Sequence, residues 1–506
     1  MLRHSIKAIC LAGGLCLQAS AGQVSNAEIA DDPHLPIVPR TEAEAARIAK
    51  VLRPPTDFSA PEAFEDRPAG AATRFGYLNT HAFSSASANM PFERELDFKV
   101  GNGLFKKLWV SSPASTKASD GLGPLYNARS CQRCHLKDGR GHTPNGPEDN
   151  AVSLLLKIGL PGGEPGPIPG SHAVQPHPVY GGQLQDFSTA GVPAEHRLGV
   201  IWEEFEVQLS GGDVAVLRRP TWQANLIDGS TLSADTMLSP RIAPQMIGLG
   251  LLEAIPAADI LANADPEDAD GDGISGRPSI VWSREFDRPM LGRFGLKARK
   301  PTLRSQSAGA FSGDMGLSTT LFPEDWGDCT AAQNRCRGAP HSGSPVEVED
   351  PALDVVTFYA RNLAVPARRD TGDPEVLAGK EVFHGAGCAS CHTPKFVTHR
   401  LDGQPEQSFQ LIWPYTDMLL HDMGEGLADG MPEGVASGRE WRTPPLWGIG
   451  LTEAVSGHTE FLHDGRARSL LEAILWHGGE AETAKQRVVS MPPDDRAALI
   501  RFLESL

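Results

Sequence analysis

Residues 387–396 read GCASCHTPKF, and far upstream residues 130–139 read SCQRCHLKDG. Each stretch carries C-x-x-C-H: Cys131, Cys134 and His135 in one, Cys388, Cys391 and His392 in the other. Two cysteines three positions apart set their sulfurs along one edge of a flat ring, and the next residue, His, falls under the ring centre where it ligates iron. Zinc is the competing reading, because a zinc ribbon also pairs two C-x-x-C knuckles. Such knuckles sit close together, whereas these are far apart and each is followed by His. The spacing therefore predicts two covalently bound c-type haems, with His135 and His392 as proximal iron ligands.

The flanking sequence supplies a fold around each motif. Before the second lies DPEVLAGKEVFHGAGCASCH, in which Gly379 and Phe383 fall four apart on one helical face. The chain ends with MPPDDRAALIRFLESL, where Asp494 and Asp495 suit a first helical turn and Leu499, Phe502, Leu503 and Leu506 form one apolar stripe. A helix before the motif and a closing helix packed on it make the cytochrome c plan, and Gly379 permits a close crossing. GNGLFKKLWV, with Phe105 and Trp109 four apart, is the matching segment upstream of Cys131. The expected fold is mainly α, with two cytochrome c-like domains and long loop-rich insertions. The expected division is a signal peptide over 1–21, an N-terminal haem domain with a Gly/Pro-rich insertion over 70–255, a connecting segment over 256–345, and a C-terminal cytochrome c domain over 346–506. PALDVVTFYARNLAVPARR reads as a helix and linker entering that last domain.

The chain has 506 residues, 40% of them hydrophobic, with 53 Gly and 41 Pro. That length calls for two or three domains joined by long loops. A formal charge of −17 disfavours nucleic acid and anionic lipid as partners and suits a basic protein partner. Arg3 and Lys7, the apolar run from Ala8 to Leu17, and Ala19-Ser20-Ala21 form a secretory signal too short to cross a bilayer. No later segment is apolar for long enough to span a membrane, so the expected location is periplasmic and soluble. Of 8 Cys, Cys10 and Cys16 leave with the signal. Four others serve the haem motifs, and Cys329 and Cys336 in DCTAAQNRCRG remain as a candidate disulfide.

What faces each iron from the other side separates carrier from catalyst. In FLHDGRARSLLEAILWHGGE, Leu470, Ile474 and His477 share one helical face. His477 reads either as a second iron ligand or as a helix-end His before Gly478-Gly479. For the N-terminal iron, Glu253 at the end of the apolar IGLGLLEAIP is the candidate acid-base group, provided burial raises its pKa. His142, His172, His177, Gln183 and Gln185 are further candidates. Tyr180, Trp202 and Trp222 are possible electron relays, and each of these residues also reads as ordinary loop or core. DADGDGISG sets Asp268, Asp270 and Asp272 at alternating positions, the first half of a calcium loop, with Ser279 where the bidentate Glu of an EF-hand would stand. G-x-S-x-G, Walker and basic aromatic signatures are absent.

The stretch from Trp441 to Gly479 resembles the C-terminal haem domain of bacterial di-haem cytochrome c peroxidases, where a T-P-x-L stretch and a Y/F-x-H-D/N-G turn precede the helix bearing the distal ligand of the electron-transfer haem. His477 matches that ligand position, which is Met in those enzymes. YTDMLLHDMGEGL, with His421 and Met423, also resembles them. GPLYNARSCQRCHLKDGRG, VYGGQLQD, IGLGLLEAIP, DADGDGISGRP and GREWRTPPLWGIG are similar to the di-haem oxidoreductase family of peroxidase type, also labelled thiol oxidoreductases, nearly end to end. The resemblance implies a peroxidase-like oxidoreductase. Its C-terminal haem would take electrons from a redox-protein donor and pass them to a reactive N-terminal haem, which reduces peroxide or oxidises another substrate. Two alternatives stand beside it: a non-enzymatic electron carrier, and an enzyme that uses high-valent iron to oxidise a partner protein. Calcium between the haems of the related peroxidases adds to the case for calcium here.

Overall fold

The computed structural model describes residues 26–506 except 77, 147, 148, 150 and 151. The signal stretch over 1–21, with Cys10 and Cys16, lies outside the described residues. No helix among those described is long and apolar enough to cross a membrane.

Two helix crossings organise the molecule. Helix α1 (Glu95–Lys106), α2 (Leu303–Met315) and α3 (Asp350–Arg361) enclose one core, with Phe98, Phe105, Phe311, Leu353, Val356 and Tyr359 buried together. Each such side chain removed from water contributes about 1.5–3 kcal/mol. Helices α4 (Pro374–Gly385) and α6 (Pro493–Ser505) enclose another, around Phe383, Leu499, Phe502 and Leu503, with the short α5 (Leu470–Leu475) beside them. Local chemistry sets the helix starts. Asp373 accepts from the amides of Glu375 and Val376 with Pro374 in the first turn, and Ser469 accepts from Glu472. Each crossing has a glycine at its contact. A Cβ on Gly101 would stand 2.4 Å from the Val355 carbonyl oxygen and 2.7 Å from the Tyr359 Cβ, and one on Gly379 would stand 1.9 Å from the Ala498 carbonyl oxygen. The two crossings are thus the same device, and the helix of the PALDVVTFYARN stretch packs on α1.

The mainly α expectation is corrected: the described residues are 30% helix and 18% strand, in many small sheets. Strands β1 (Leu154–Pro161), β2 (His196–Gln208), β3 (Val214–Leu226), β4 (Met237–Ile242), β5 (Leu420–Asp422) and β6 (Glu440–Arg442) account for most of this. β1 pairs antiparallel with β4 from Leu154↔Ile242 to Gly159↔Met237. β2 and β3 form a hairpin in register from His196↔Leu226 to Gln208↔Val214, turned at Gly211 and Gly212, whose φ of 87° and 89° suit glycine. The Gly and Pro content of the insertion predicts loop. Yet HRLGVIWEEFEVQ is rich in β-branched and aromatic residues and alternates in burial over much of its length, which suits a strand with one covered face.

The segment before residue 70 is an integral strap. Asp32 is ion-paired with Arg293 at 2.7 Å and hydrogen-bonded to His399 Nε2 at 3.0 Å. Glu65, 1% exposed, joins Lys380 of α4 at 2.8 Å and Arg368.

Candidate functional site

Both C-x-x-C-H motifs adopt one helical turn, and the His closes it. The His135 amide donates to the Cys131 carbonyl at 3.0 Å, and the His392 amide to the Cys388 carbonyl at 3.0 Å. The second turn is entered through Gly387 at φ 87°. Each imidazole is then fixed in the same way. His135 Nδ1 donates to the Pro244 carbonyl at 2.8 Å, and His392 Nδ1 to the Tyr415 carbonyl at 2.9 Å. Phe105 of α1 lies 6.3 Å from the first ring, and Phe383 of α4 lies 6.4 Å from the second. Burial pushes both His pKa values down to about 4, so both rings are neutral, with Nε2 as the lone-pair nitrogen.

The residues present fit a haem. Burial pushes the Cys131 and Cys388 thiols up to about 12 and raises Cys134 and Cys391 as well. Among the described residues, the convergent metal-capable cluster is Asp265, Asp268 and Asp270, and no such cluster includes a cysteine. Two thiols and a neutral imidazole with its Nε2 turned to accept is the donor set of a covalently held haem.

His477 lies near enough to His392 for the two to interact electrostatically. Its amide donates to Ile474 at 3.0 Å and its Nδ1 to the Ala473 carbonyl at 2.7 Å, so Nε2 is again the lone-pair nitrogen. Burial lowers its pKa. His421 is differently placed. Only 2% exposed, it bonds Glu480 through Nδ1 at 2.6 Å and Asp417 through Nε2 at 2.8 Å, and Nδ1 lies 3.6 Å from Cys391 Sγ. Burial alone would lower its pKa, but Asp417, Cys391 and Glu480 raise it far above the ordinary value. His421 is an imidazolium with both nitrogens donating, which cannot ligate iron. Met423 packs in the apolar cluster with Trp476.

The N-terminal motif has a different neighbourhood. Asp314 and Asp186 lie close enough for their charges to act on Cys134. Asn127 Nδ2 donates to Asp186 at 2.7 Å, and Gln183 Nε2 donates to Asn127 at 2.6 Å and to Asp314 at 2.9 Å. The Gln185 amide donates to Glu195 at 2.7 Å, Gln333 caps the other Glu195 oxygen, and His196 Nε2 is 3.5 Å from Asp186. Burial raises the Asp186 carboxyl to about 7 and that of Glu195, 6% exposed, to about 8, and raises Asp314 as well. Two carboxyls that titrate near neutral pH therefore sit in one network with Gln183 and Gln185. Sequence reading passed over Glu195 and Asp186. The visible signal was an acid directly before the alternating β2 pattern.

The expectation that Glu253 has a raised pKa is overturned. Burial does push its carboxyl up, but Arg361 at 2.9 Å, His34 and the Leu303 amide at 2.8 Å outweigh it, and the pKa is lowered. Glu253 is an ionised anchor at the start of α2. His142 bonds its neighbouring Thr143 carbonyl, His172 is exposed, and His177 stacks on Tyr180 at 5.0 Å.

The route of contacts between the motifs runs through a pair that was not anticipated. His135 bonds Pro244, and two residues earlier the Ile242 amide donates to the His463 carbonyl at 2.8 Å. The His463 ring stacks on Trp441 at 3.9 Å, and Trp441 pairs across β6–β5 with His421, beside Cys391. Trp202 and Trp222 instead meet edge-on at 5.9 Å on the β2–β3 hairpin.

In the Asp-rich loop, Asp265, Asp268 and Asp270 converge, while Asp272 Oδ1 accepts from the Ile274 amide at 2.8 Å and stands outside that group. Cys329 and Cys336 are joined as a disulfide with Cα atoms 6.1 Å apart.

The family model described as "Di-haem oxidoreductase, putative peroxidase" matches residues 65–158 and 213–506. The chain belongs to the di-haem oxidoreductase family. No curated protein matches it. The family match leaves out residues 159–212, which hold Gln183, Gln185, Asp186, Glu195 and all of β2.

Proposed function

We propose that this di-haem oxidoreductase is an exported, periplasmic c-type peroxidase that reduces peroxide at the N-terminal centre with electrons received at the C-terminal one. The carrying observation is the asymmetry between the two motifs. The N-terminal motif lies near Asp186, raised to about 7, which hydrogen bonds through Asn127, Gln183 and Gln185 link to Glu195, raised to about 8, whereas the C-terminal motif has a second imidazole, His477, in its neighbourhood. Haem bound through Cys131, Cys134 and His135 supplies the redox-active iron. The protein supplies a proton donor near neutral pKa, which is what splitting an O–O bond requires. Glu195 is held by the Gln185 amide and Gln333, so its carboxyl is oriented before substrate arrives. If His477 joined His392 in holding the C-terminal iron, that iron would have no open position for peroxide, which suits an electron-entry role. Electrons would pass by way of His421, Trp441 and His463 toward Pro244 and His135. The Cys329–Cys336 disulfide supports an oxidising compartment.

The test is direct. Intact mass after acid denaturation should show two haems retained. Peroxide-dependent oxidation of a small electron donor should fall by roughly 10²–10⁴-fold in Glu195→Gln while both haems stay attached. A bare polypeptide mass, or undiminished turnover in Glu195→Gln, refutes the reading.

A further inference from the structure

Helix α5, which ends one residue before Trp476-His477, has six residues. A helix that short does not hold its shape alone in water. Its inner side, with Leu470 and Ile474, packs in the same cluster as Cys388 and Ala389 of the second motif. Its outer side is covered by the β2–β3 hairpin, whose first strand lies in the segment outside the family match. Phe205 meets Trp476 edge-on at 5.5 Å and 88°, and Leu209 and Leu217 are buried against the same cluster as Leu475 and Trp476. The contact is polar as well as apolar. Arg218 donates to the Gly465 carbonyl at 2.8 Å and to the Arg466 carbonyl at 3.0 Å, just ahead of α5. In return Arg468 donates to the Val216 carbonyl at 2.6 Å and pairs with Glu204 at 2.8 Å. At the tip, Asp213 pairs with Arg496 of α6 at 2.7 Å. The hairpin therefore grips the turn before α5, the residue after it, and the helix behind it.

We infer that Phe205 and Arg218 are positioning residues for His477: the hairpin clamps α5 from outside so that His477 Nε2 is held toward the iron of the C-terminal haem. This rests on the reading of His477 as that iron's second ligand. A T-shaped aromatic pair and backbone-directed guanidinium bonds fix direction as well as proximity, which a ligand at the end of a one-and-a-half-turn helix needs. Because the hairpin springs from Glu195 and His196, the same strand borders the acid network at one end and the His477 helix at the other.

The experiment uses the holoprotein. Ferric EPR and carbon monoxide binding to the reduced form are measured for wild type, Phe205→Ala, Phe205→Leu, Arg218→Gln and His477→Ala, with haem stoichiometry checked by mass. Phe205→Ala should keep both haems and raise the high-spin, carbon monoxide-binding fraction of the C-terminal centre by about fivefold, as loss of an aromatic pair implies. Arg218→Gln should do the same in smaller measure, and Phe205→Leu, which keeps apolar bulk but not the aromatic pair, should fall between wild type and Phe205→Ala. If His477→Ala loses the bis-imidazole signal while Phe205→Ala and Arg218→Gln keep it, the clamp is wrong and the ligand stands. If His477→Ala itself keeps that signal, both fall. Should Phe205→Ala not fold, Arg218→Gln decides the matter by the same readouts.

Discussion

Gly379 lies directly against the carbonyl oxygen of Ala498: a Cβ built on it would stand 1.9 Å from that oxygen and 2.8 Å from the Phe502 Cβ. The backbones of α4 and α6 touch there, and this contact sets Phe383 5.1 Å from Phe502 and 6.4 Å from His392. Gly101 plays the same part against Val355 and Tyr359, with Phe105 in the place of Phe383.

Gly379→Ala should therefore be far worse than an ordinary helical Gly→Ala change, because it meets backbone that cannot rotate away. We expect a loss of about 3 kcal/mol or more, read as a lower denaturation midpoint. Gly385→Ala in the same helix, with no atom within 4 Å of its Cβ, is the control and should be neutral or stabilising.

Glu195 should make stability depend on pH in a stated direction. Its folded carboxyl titrates at about 8, while an unfolded one titrates near the ordinary value of 4.5. Between those values the folded state binds the extra proton, so this group's contribution becomes less favourable as pH rises through the window and is constant above it. The stability of Glu195→Gln relative to wild type should grow from about pH 5 to about pH 8 and then level off. A difference that does not vary with pH would show that the carboxyl is not held protonated.

His477→Ala should leave two covalent haems and convert one centre from low to high spin or to water ligation. An imidazole in place of Met also leaves that haem at a lower potential than a Met-ligated one. Ferric EPR and a redox titration of the two centres check both points. His421→Asn should not remove the low-spin signal, because both His421 nitrogens are engaged by carboxylates.

Glu65→Gln should cost about 3–5 kcal/mol, because it strips a buried charge from Lys380, 2% exposed, and Arg368. Burial raises the Glu65 pKa, but Arg368 and Lys380 outweigh it and the carboxyl titrates below its ordinary value. Its contribution is therefore present above the unfolded carboxylate pKa and lost as pH falls through the lower folded value. Urea melts of wild type and variant at neutral and acid pH should converge in acid.

The sequence alone determined what is local. C-x-x-C-H places thiols and imidazole within one turn whatever surrounds it, so the haem motifs were legible from spacing. Gly379 was legible as a crossing point because a stripe of large apolar residues with one missing Cβ needs a helix at that gap. Asp494 and Asp495 marked the first turn of α6, because the pairing of acidic side chains with a helix start acts within a few residues. Long-range contacts decided the rest. Glu253 and Glu195 are both buried acids, and neither one's neighbours in sequence distinguish them. Glu253 is ionised because Arg361, 108 positions away, reaches it, and Glu195 holds a proton because no cation does so comparably. The hairpin was missed because Gly and Pro content reports on turns, whereas a strand is stabilised by the partner it finds, here His196–Gln208 by Val214–Leu226 and then by α5. A charge's pKa and a strand's existence both depend on what comes within a few ångströms in space, and only the folded chain fixes that.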